Sequence, residues 1–483
     1  MTGRASKLIW SGIEAVITST TGNRVAVLSG PRVRIPPTPP CRCELHQVRS
    51  GLFIPCRRRP SRLPEAVSFR LLKSEGPTAL KHTAQRIQAH NEIVYAARSA
   101  AYNAALPFLN GTLIQLFLAF QGVSAARIGT FNMILYIVNI AATVLLSSIA
   151  ERKGNAVLQS GRIMLAQMLA YLLYPLAALL TSGTALYLIL LGAAAIQMLL
   201  YASKAIFEYK LIYQITPIQN YGRLTSIAGA VIGVVGAGVG WLYARLVNSI
   251  PDGGGYLAGM LLCLLMLAAS TFFNHRLRIV DHSFDQAPPA AEKKKASTLA
   301  LIRMPVFRKF LVPNAIRGVT QGVMDSIALI ALAMGIRESD AASLPVICSC
   351  AYIGACALFA FVEHRMSVVT IGLIGGAMTL AMIFLPHGNS TVFMLLFLIA
   401  YFGRILIDYV MPVMVCHMID PQIAGEYNAL RWVLLNICAA GTSYVVGHVV
   451  EHVSPLVLLI PAALAYGVSM VWFAVLYKSF KRY

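Results

Sequence analysis

Asn314, Arg317, Gln321 and Asp325 stand three, four and four residues apart in an otherwise apolar run. On a helix of about 3.6 residues per turn, that spacing stacks the four side chains on one face. A guanidinium, two carboxamides and a carboxylate on one stripe can hold a polar solute and carry a proton. The expected roles are binding of an anionic or hydroxylated group by Arg317, hydrogen bonding by Asn110, Asn314 and Gln321, and proton carriage by Asp325. Asn103 and Asn110, seven apart, give an earlier apolar run a shorter stripe of the same kind. The plain alternative is a structural pair between Arg317 and Asp325, although eight residues on a straight helix make direct contact awkward.

Two further sets have helical spacing. Lys204 with Glu208, and Arg404 with Asp408, are four apart and form intrahelical ion pairs if helical. Near the ends of their apolar runs, such pairs serve either as a gate or as an anchor for the helix end. His448, Glu451 and His452 spell His-x-x-Glu-His, which on a helix can bring two imidazoles to one metal ion. No third ligand stands nearby, so neither a metal, a cofactor nor an enzymatic activity is expected. Cys41, Cys43, His46 and Cys56 match no common zinc spacing, and the nine cysteines imply no disulfide framework.

The elements that carry these residues must be membrane helices. Of the 483 residues, 57% are hydrophobic and 12% charged, far from the balance of a soluble domain. Apolar runs of about 20 residues, the length that spans a bilayer, recur from residue 100 onward. They fall near 100–121, 128–149, 161–181, 184–207, 224–247 and 255–275, then near 308–334, 342–362, 367–385, 391–415, 428–450 and 455–477. The expected fold is therefore all-α, a polytopic membrane protein of twelve transmembrane helices in two six-helix, pseudo-symmetric halves. The halves cover 96–275 and 308–483, joined by a linker at 276–307 that carries Lys293, Lys294 and Lys295. The net charge of +21 comes with no groove-like mixing of basic and aromatic residues, so no nucleic-acid partner is expected. Lys and Arg concentrate instead in alternate loops. By the positive-inside rule both termini and the linker are cytoplasmic, in a plasma or inner membrane.

Residues 1–95 are Arg- and Pro-rich and read as a basic, disordered extension. An organelle transit peptide needs an amphipathic helix that the prolines discourage. The run Val33-Arg34-Ile35-Pro36 can also be encoded by an arm of a transfer-RNA gene, which leaves a mis-assigned start as another reading.

The halves repeat each other. Asn103-Ala104 with Asn110-Gly111 is matched by Asn314-Ala315 with Gln321-Gly322 at the same spacing. Glu151-Arg152 returns as Glu363-His364, and Tyr201, Lys204, Glu208 and Tyr209 return as Tyr401, Arg404, Asp408 and Tyr409. Parallel halves related by an axis along the membrane normal are a known transporter plan, with the substrate held between them near the midplane.

On these features the chain resembles the major facilitator superfamily. The family's loop motif after the second span, Gly-x-Leu-Ala-Asp-Arg-x-Gly-Arg, is matched in part by Ser147, Ile149, Ala150, Glu151, Arg152, Gly154 and Asn155. The resemblance implies a cavity lined by the first, fourth, seventh and tenth helices. It further implies secondary active transport of a small solute, with protons as the coupling ion, by a monomer in the lipid bilayer. A membrane-embedded enzyme, a non-transporting receptor-like protein and a drug efflux antiporter are the alternatives. In the fifth span, Val234 stands where efflux antiporters carry a proline, and Gly229, Gly233, Gly236, Gly238 and Gly240 read as helix packing.

Overall fold

The computed structural model describes residues 77–146, 155–217, 221–280, 305–362, 366–387, 389–418 and 424–480. Within them every regular element is a helix and there is no strand. The chain is an all-helical, multi-pass membrane protein. Among the described residues, ten helices are long and apolar enough to cross a bilayer, and a bent pair makes an eleventh, against the twelve expected of the whole chain. Ile87 onward forms one compact unit with the membrane helices. Of the smaller unit, 27–86, only the helical residues from Pro77 are described.

The first half begins with α1 (Pro77–Leu109) and α2 (Thr112–Phe120), which together make the first span. The second span is α3 (Ala125–Leu146), the third is α4 (Ala156–Tyr171) with α5 (Leu173–Leu180), and the fourth is α6 (Gly183–Ile215). The fifth and sixth are α7 (Tyr221–Ser249) and α8 (Gly254–Arg276). The second half opens on α9 (Pro305–Asp325) and α10 (Ile327–Ala333), followed by the short α11 (Glu338–Ala341) and α12 (Leu344–Val362). Then come α13 (Val368–Thr379), continued as a 3-10 turn to His387, α14 (Ser390–Met418), α15 (Ala424–Val449) and α16 (Leu456–Phe480).

The start of α1 corrects the expected boundary at residue 96. Asn91, Glu92, Val94 and Tyr95, placed by the sequence in the extension, are buried in the bundle. Asn91 and Glu92 look like a loop in the sequence because they are polar, yet their polar atoms are used. The Asn91 amide donates to the carbonyls of Ile215 and Arg278, both at 2.8 Å, and its oxygen accepts from the Arg278 N–H at 3.0 Å. One side chain thereby closes the ends of the fourth and sixth spans, whose last carbonyls have no partner within their own helices.

Equivalent spans start alike in the two halves. The Asn155 side chain accepts from the Leu158 N–H and caps α4, and Ser367 accepts from the Thr370 N–H and caps α13. Such a cap contributes about 1 kcal/mol by satisfying an orphan donor. Both polar-stripe spans are broken. Asn110 and Gly111 separate α1 from α2, and at Ser326 the seventh span bends by 53°.

The halves meet most closely near Gly129 and Gly447, at one end of the bundle. A methyl group on Gly129 would lie 2.6 Å from the Cα of Gly447, so only glycine lets α3 and α15 approach this far. In α7, Gly233, Gly236 and Gly240 lie against Ile353, Ser349 and Val346 of α12, where added methyls would come within 2.4, 3.0 and 3.3 Å. These three fifth-span glycines pack helix on helix between the halves, as the sequence suggests, while Gly238 faces open space. Leu145, Leu180, Trp241 and Val475 are exposed on the outside, the surface that hydrocarbon covers.

Candidate functional site

Helical phase carries the polar residues of the first, fourth, seventh and tenth spans inward, where two ionic networks form. In the first half, Arg98 of α1 grips Glu208 of α6 with both arms, Nη1 to Oε1 at 2.6 Å and Nη2 to Oε2 at 2.9 Å. Tyr95 adds a hydroxyl donor to Glu208 at 2.9 Å, and Arg98 also donates to the Ser160 hydroxyl of α4 at 2.8 Å. Lys204 approaches the other Glu208 oxygen at 3.6 Å and lies over the Tyr102 ring, 3.9 Å from its centroid. Arg98 is fully buried. Its bidentate geometry offsets the cost of taking two charges out of water.

The second half repeats this plan with a shift. Arg317 of α9 is hydrogen-bonded to Asp408 of α14, and its other arm points to the Met411 sulfur at 2.9 Å. Arg404 lies four residues before Asp408, with its Nε 3.8 Å from an Asp408 oxygen. It also donates to the Gln321 carbonyl at 2.5 Å and to Asp325 at 3.3 Å. The Gln321 amide in turn donates to Asp325 at 2.6 Å. The expected intrahelical pairs of Lys204 with Glu208 and Arg404 with Asp408 are therefore close, but each acid has a cross-helix arginine as well.

Asp325 joins the halves. Tyr136 of α3 hydrogen-bonds its carboxylate, and Gln115 of α2 donates to its backbone carbonyl at 2.8 Å. At this end of the bundle Ala125 N–H donates to Glu451 at 3.2 Å, Asn248 to the Ser339 carbonyl at 3.2 Å, and Tyr256 to Glu338. The Asp325 side chain keeps 36% of its surface, the largest share among the ion-paired side chains of the two networks. It is the carboxylate most open to exchange with water.

The structure gathers Arg317, Gln321, Asp325, Arg404 and Asp408 into one network, and Lys204 and Glu208 into another. The alternative of a direct pair between Arg317 and Asp325 does not form: Arg317 turns to Asp408, and α14 supplies Arg404 to Asp325. In the first half Arg98 is the charged counterpart of Arg317. Asn314 is fully buried, and Asn110 borders a small pocket. Glu151, Arg152 and Gly154 of the loop motif lie outside the described residues, as do Cys41, Cys43, His46, Cys56 and Lys293–Lys295.

Sequence reasoning missed Arg98, Tyr95 and Tyr136. Arg98 fell just before the expected first span, and only the length of α1 brings it inside. Tyr136 carries no sequence signal, being one hydroxyl in an apolar helix. The histidine motif is otherwise engaged: the His448 ring contacts the Tyr444 carbonyl at 2.9 Å and lies tilted against the Tyr444 ring, and Glu451 holds the start of α3. Among the described residues, no group of three His, Cys, Asp or Glu side chains is placed to hold a metal ion.

Two helical halves, joined at one end and lined by paired charges, give the chain a fold that it shares with solved membrane transporters. The nucleoside transporter NupG is similar in structure, with a TM-score of 0.58 and 14% identity over 82% of this chain and 99% of that chain. A D-xylose-proton symporter gives 0.60 and 13% over 81% and 97%. A bacterial homologue of the human lysosomal transporter Spinster, inward-facing and unoccupied, gives 0.52 and 13% over 82% and 95%. No family model matches the sequence, and no curated protein matches it.

Proposed function

We propose that the protein is a secondary active transporter that moves a small solute across the membrane by alternating access, coupled to protons at Asp325. The observation that carries this reading is the position of Asp325: one carboxylate, the most accessible of the paired acids, bonds to Tyr136 in one half and to Gln321 and Arg404 in the other. As an anion it accepts from all three and holds the halves together at the Gly129 end. A proton on one oxygen removes an acceptor site and the charge that attracts Arg404. The grip across the halves weakens, and Arg404 is left to Asp408, 3.8 Å away.

Arg98 with Glu208, and Arg317 with Asp408, each tie two cavity-lining helices within one half, so each half moves as a body. Proteins of this fold include a nucleoside transporter and a D-xylose-proton symporter, which supports a small-molecule substrate and a proton as its partner here. The basic loops put the Asn91 end in the cytoplasm, so the closed Gly129 end faces outward. Asn110, Asn314, Arg317 and Gln321 remain the proposed substrate contacts, with Arg317 acting on the solute when Asp408 shifts to Arg404.

Asp325→Asn tests the coupling in proteoliposomes. The variant is expected to lose accumulation of solute driven by an imposed pH gradient while keeping solute-for-solute exchange. Unchanged gradient-driven accumulation by Asp325→Asn would overturn the role of this residue.

A further inference from the structure

Three helices of the first half converge at the Asn91 end of the bundle: α1 around His90, the start of α4 and the end of α8. The His90 ring donates to the Arg276 carbonyl at 3.0 Å, Asn91 bonds both the carbonyl and the N–H of Arg278, and Asn274 donates to the Val157 carbonyl at 2.9 Å. A methyl group on Gly161 of α4 would lie 3.2 Å from the His275 ring. The contacts of Arg276 and Arg278 with α1 use backbone atoms alone. Both residues are exposed, as is Arg162, which follows Gly161.

Among the described residues no carboxylate lies within ion-pair distance of Arg162, Arg276 or Arg278. Glu92, the acid of the same stretch of α1, is buried and accepts from Gln88 at 2.9 Å. Like charges gathered without an anion repel one another. The helices do not need them there. Asn155 and Ser367 cap matched helices in the two halves, and seven residues on, Arg162 in the first stands against Ile374 in the second.

Arg276 shows which anion fits. The sixth span ends at this residue, and Phe272, one turn earlier, is 53% exposed on the surface that hydrocarbon covers. The guanidinium carbon of Arg276 lies 4.8 Å from the centre of the Phe272 ring. Side chains on a helix lean back towards its start, so this cation lies at the edge of the hydrocarbon and not out in the water. A lipid phosphate sits at that level already, with its acyl chains where Phe272 is exposed.

We propose that Arg162, Arg276 and Arg278 bind the headgroup of a phospholipid with net negative charge, its phosphate on the guanidiniums and its chains along Phe272. A headgroup held in this way joins α4 to α8 on their lipid side. The site needs only the membrane fold and stands apart from the proton coupling at Asp325.

The full chain in detergent is titrated with dioleoylphosphatidylglycerol, dioleoylphosphatidylcholine and the soluble sn-glycerol 1-phosphate. Native mass spectrometry counts what is retained, and the thermal midpoint is recorded in parallel. Phosphatidylglycerol is expected to bind at least about tenfold more tightly than the net-neutral phosphatidylcholine and to raise the midpoint. The soluble phosphate is expected to do neither at the same concentration. A cation near the membrane surface contributes about fivefold, so Arg276→Gln together with Arg278→Gln should weaken phosphatidylglycerol binding about 25-fold. The backbone ties to His90 and Asn91 remain in that variant. Arg162→Gln, on a different helix, is the second variant and should weaken binding about fivefold. Lys478→Gln removes an exposed cation at the end of α16, in the other half, and should leave it unchanged. Equal binding of the two lipids by the wild type overturns the assignment, as does native affinity in both arginine variants or an equal loss in Lys478→Gln. A response to sn-glycerol 1-phosphate as large as that to phosphatidylglycerol overturns the lipid and marks a site for a soluble phosphate.

Discussion

Every acid in the two networks answers to more than one cation or donor, and the consequences of removing one partner differ between them. Glu208 is enclosed by Arg98, Lys204 and Tyr95, so Arg98→Leu leaves a carboxylate in the bundle interior without its bidentate partner. Breaking a buried pair from one side costs about 3–5 kcal/mol. The expected result is a marked drop in the thermal midpoint of the purified variant, with much of it recovered when Glu208→Leu is added. Asp325 behaves otherwise, since it is accessible and holds partners on both sides of the cavity. Tyr136→Phe removes the hydroxyl that the first half offers it. That variant is expected to keep its stability within about 1 kcal/mol, the net worth of one hydrogen bond. Its solute exchange rate should change several-fold, because in the proposed alternating access the bond is made only while the Gly129 end is closed. A drop in stability as large as that of Arg98→Leu would mark Tyr136 as structural.

Helix ends and helix crossings set where these residues can meet. Asn155 begins α4, the helix that holds Ser160 and Gln167, and Asn155→Ala is expected to cost about 1 kcal/mol in thermal or denaturant unfolding. The crossing of α3 and α15 at Gly129 and Gly447 has no room for a side chain. Gly129→Leu is therefore expected to hold the Gly129 end open. A penalty of about 1–3 kcal/mol on the closed arrangement, typical of overpacking, shifts the balance of the two proposed states roughly five- to 150-fold. Accessibility of a cysteine placed at residue 115 to an impermeant maleimide should rise in step, and unchanged labelling would contradict the close approach.

At this scale the sequence was informative where chemistry repeats along one helix. The four-residue spacing of Lys204 with Glu208 and of Arg404 with Asp408 was legible, as was the stripe from Asn314 to Asp325. Pairings between helices were not, because nothing local links Arg98 to Glu208 or Arg404 to Asp325. The early start of α1 was hidden because Asn91 and Arg98 look like loop residues until their partners at the ends of other helices and on α6 are known.

For the whole molecule, duplication was the most readable feature, since the paired motifs fall in the same order along both halves. The structure refines that symmetry. Both halves carry an arginine from their first helix to the acid of their fourth, but Arg317 lies three residues after Asn314 whereas Arg98 lies five before Asn103. The two ion pairs thus draw their arginines from opposite sides of the matched asparagines, and the second half alone adds Asp325. In the proposed coupling, this asymmetry is what sets the proton carrier in the second half. The measurement that tests the account most directly is the proton movement that accompanies solute entry. Proteoliposomes holding the wild-type chain in lightly buffered medium are given uridine or D-xylose while external pH is recorded. The account expects a solute-dependent alkalinisation of the medium that a protonophore abolishes and Asp325→Asn lacks. Solute entry with no pH change, or with the same change in Asp325→Asn, would contradict it.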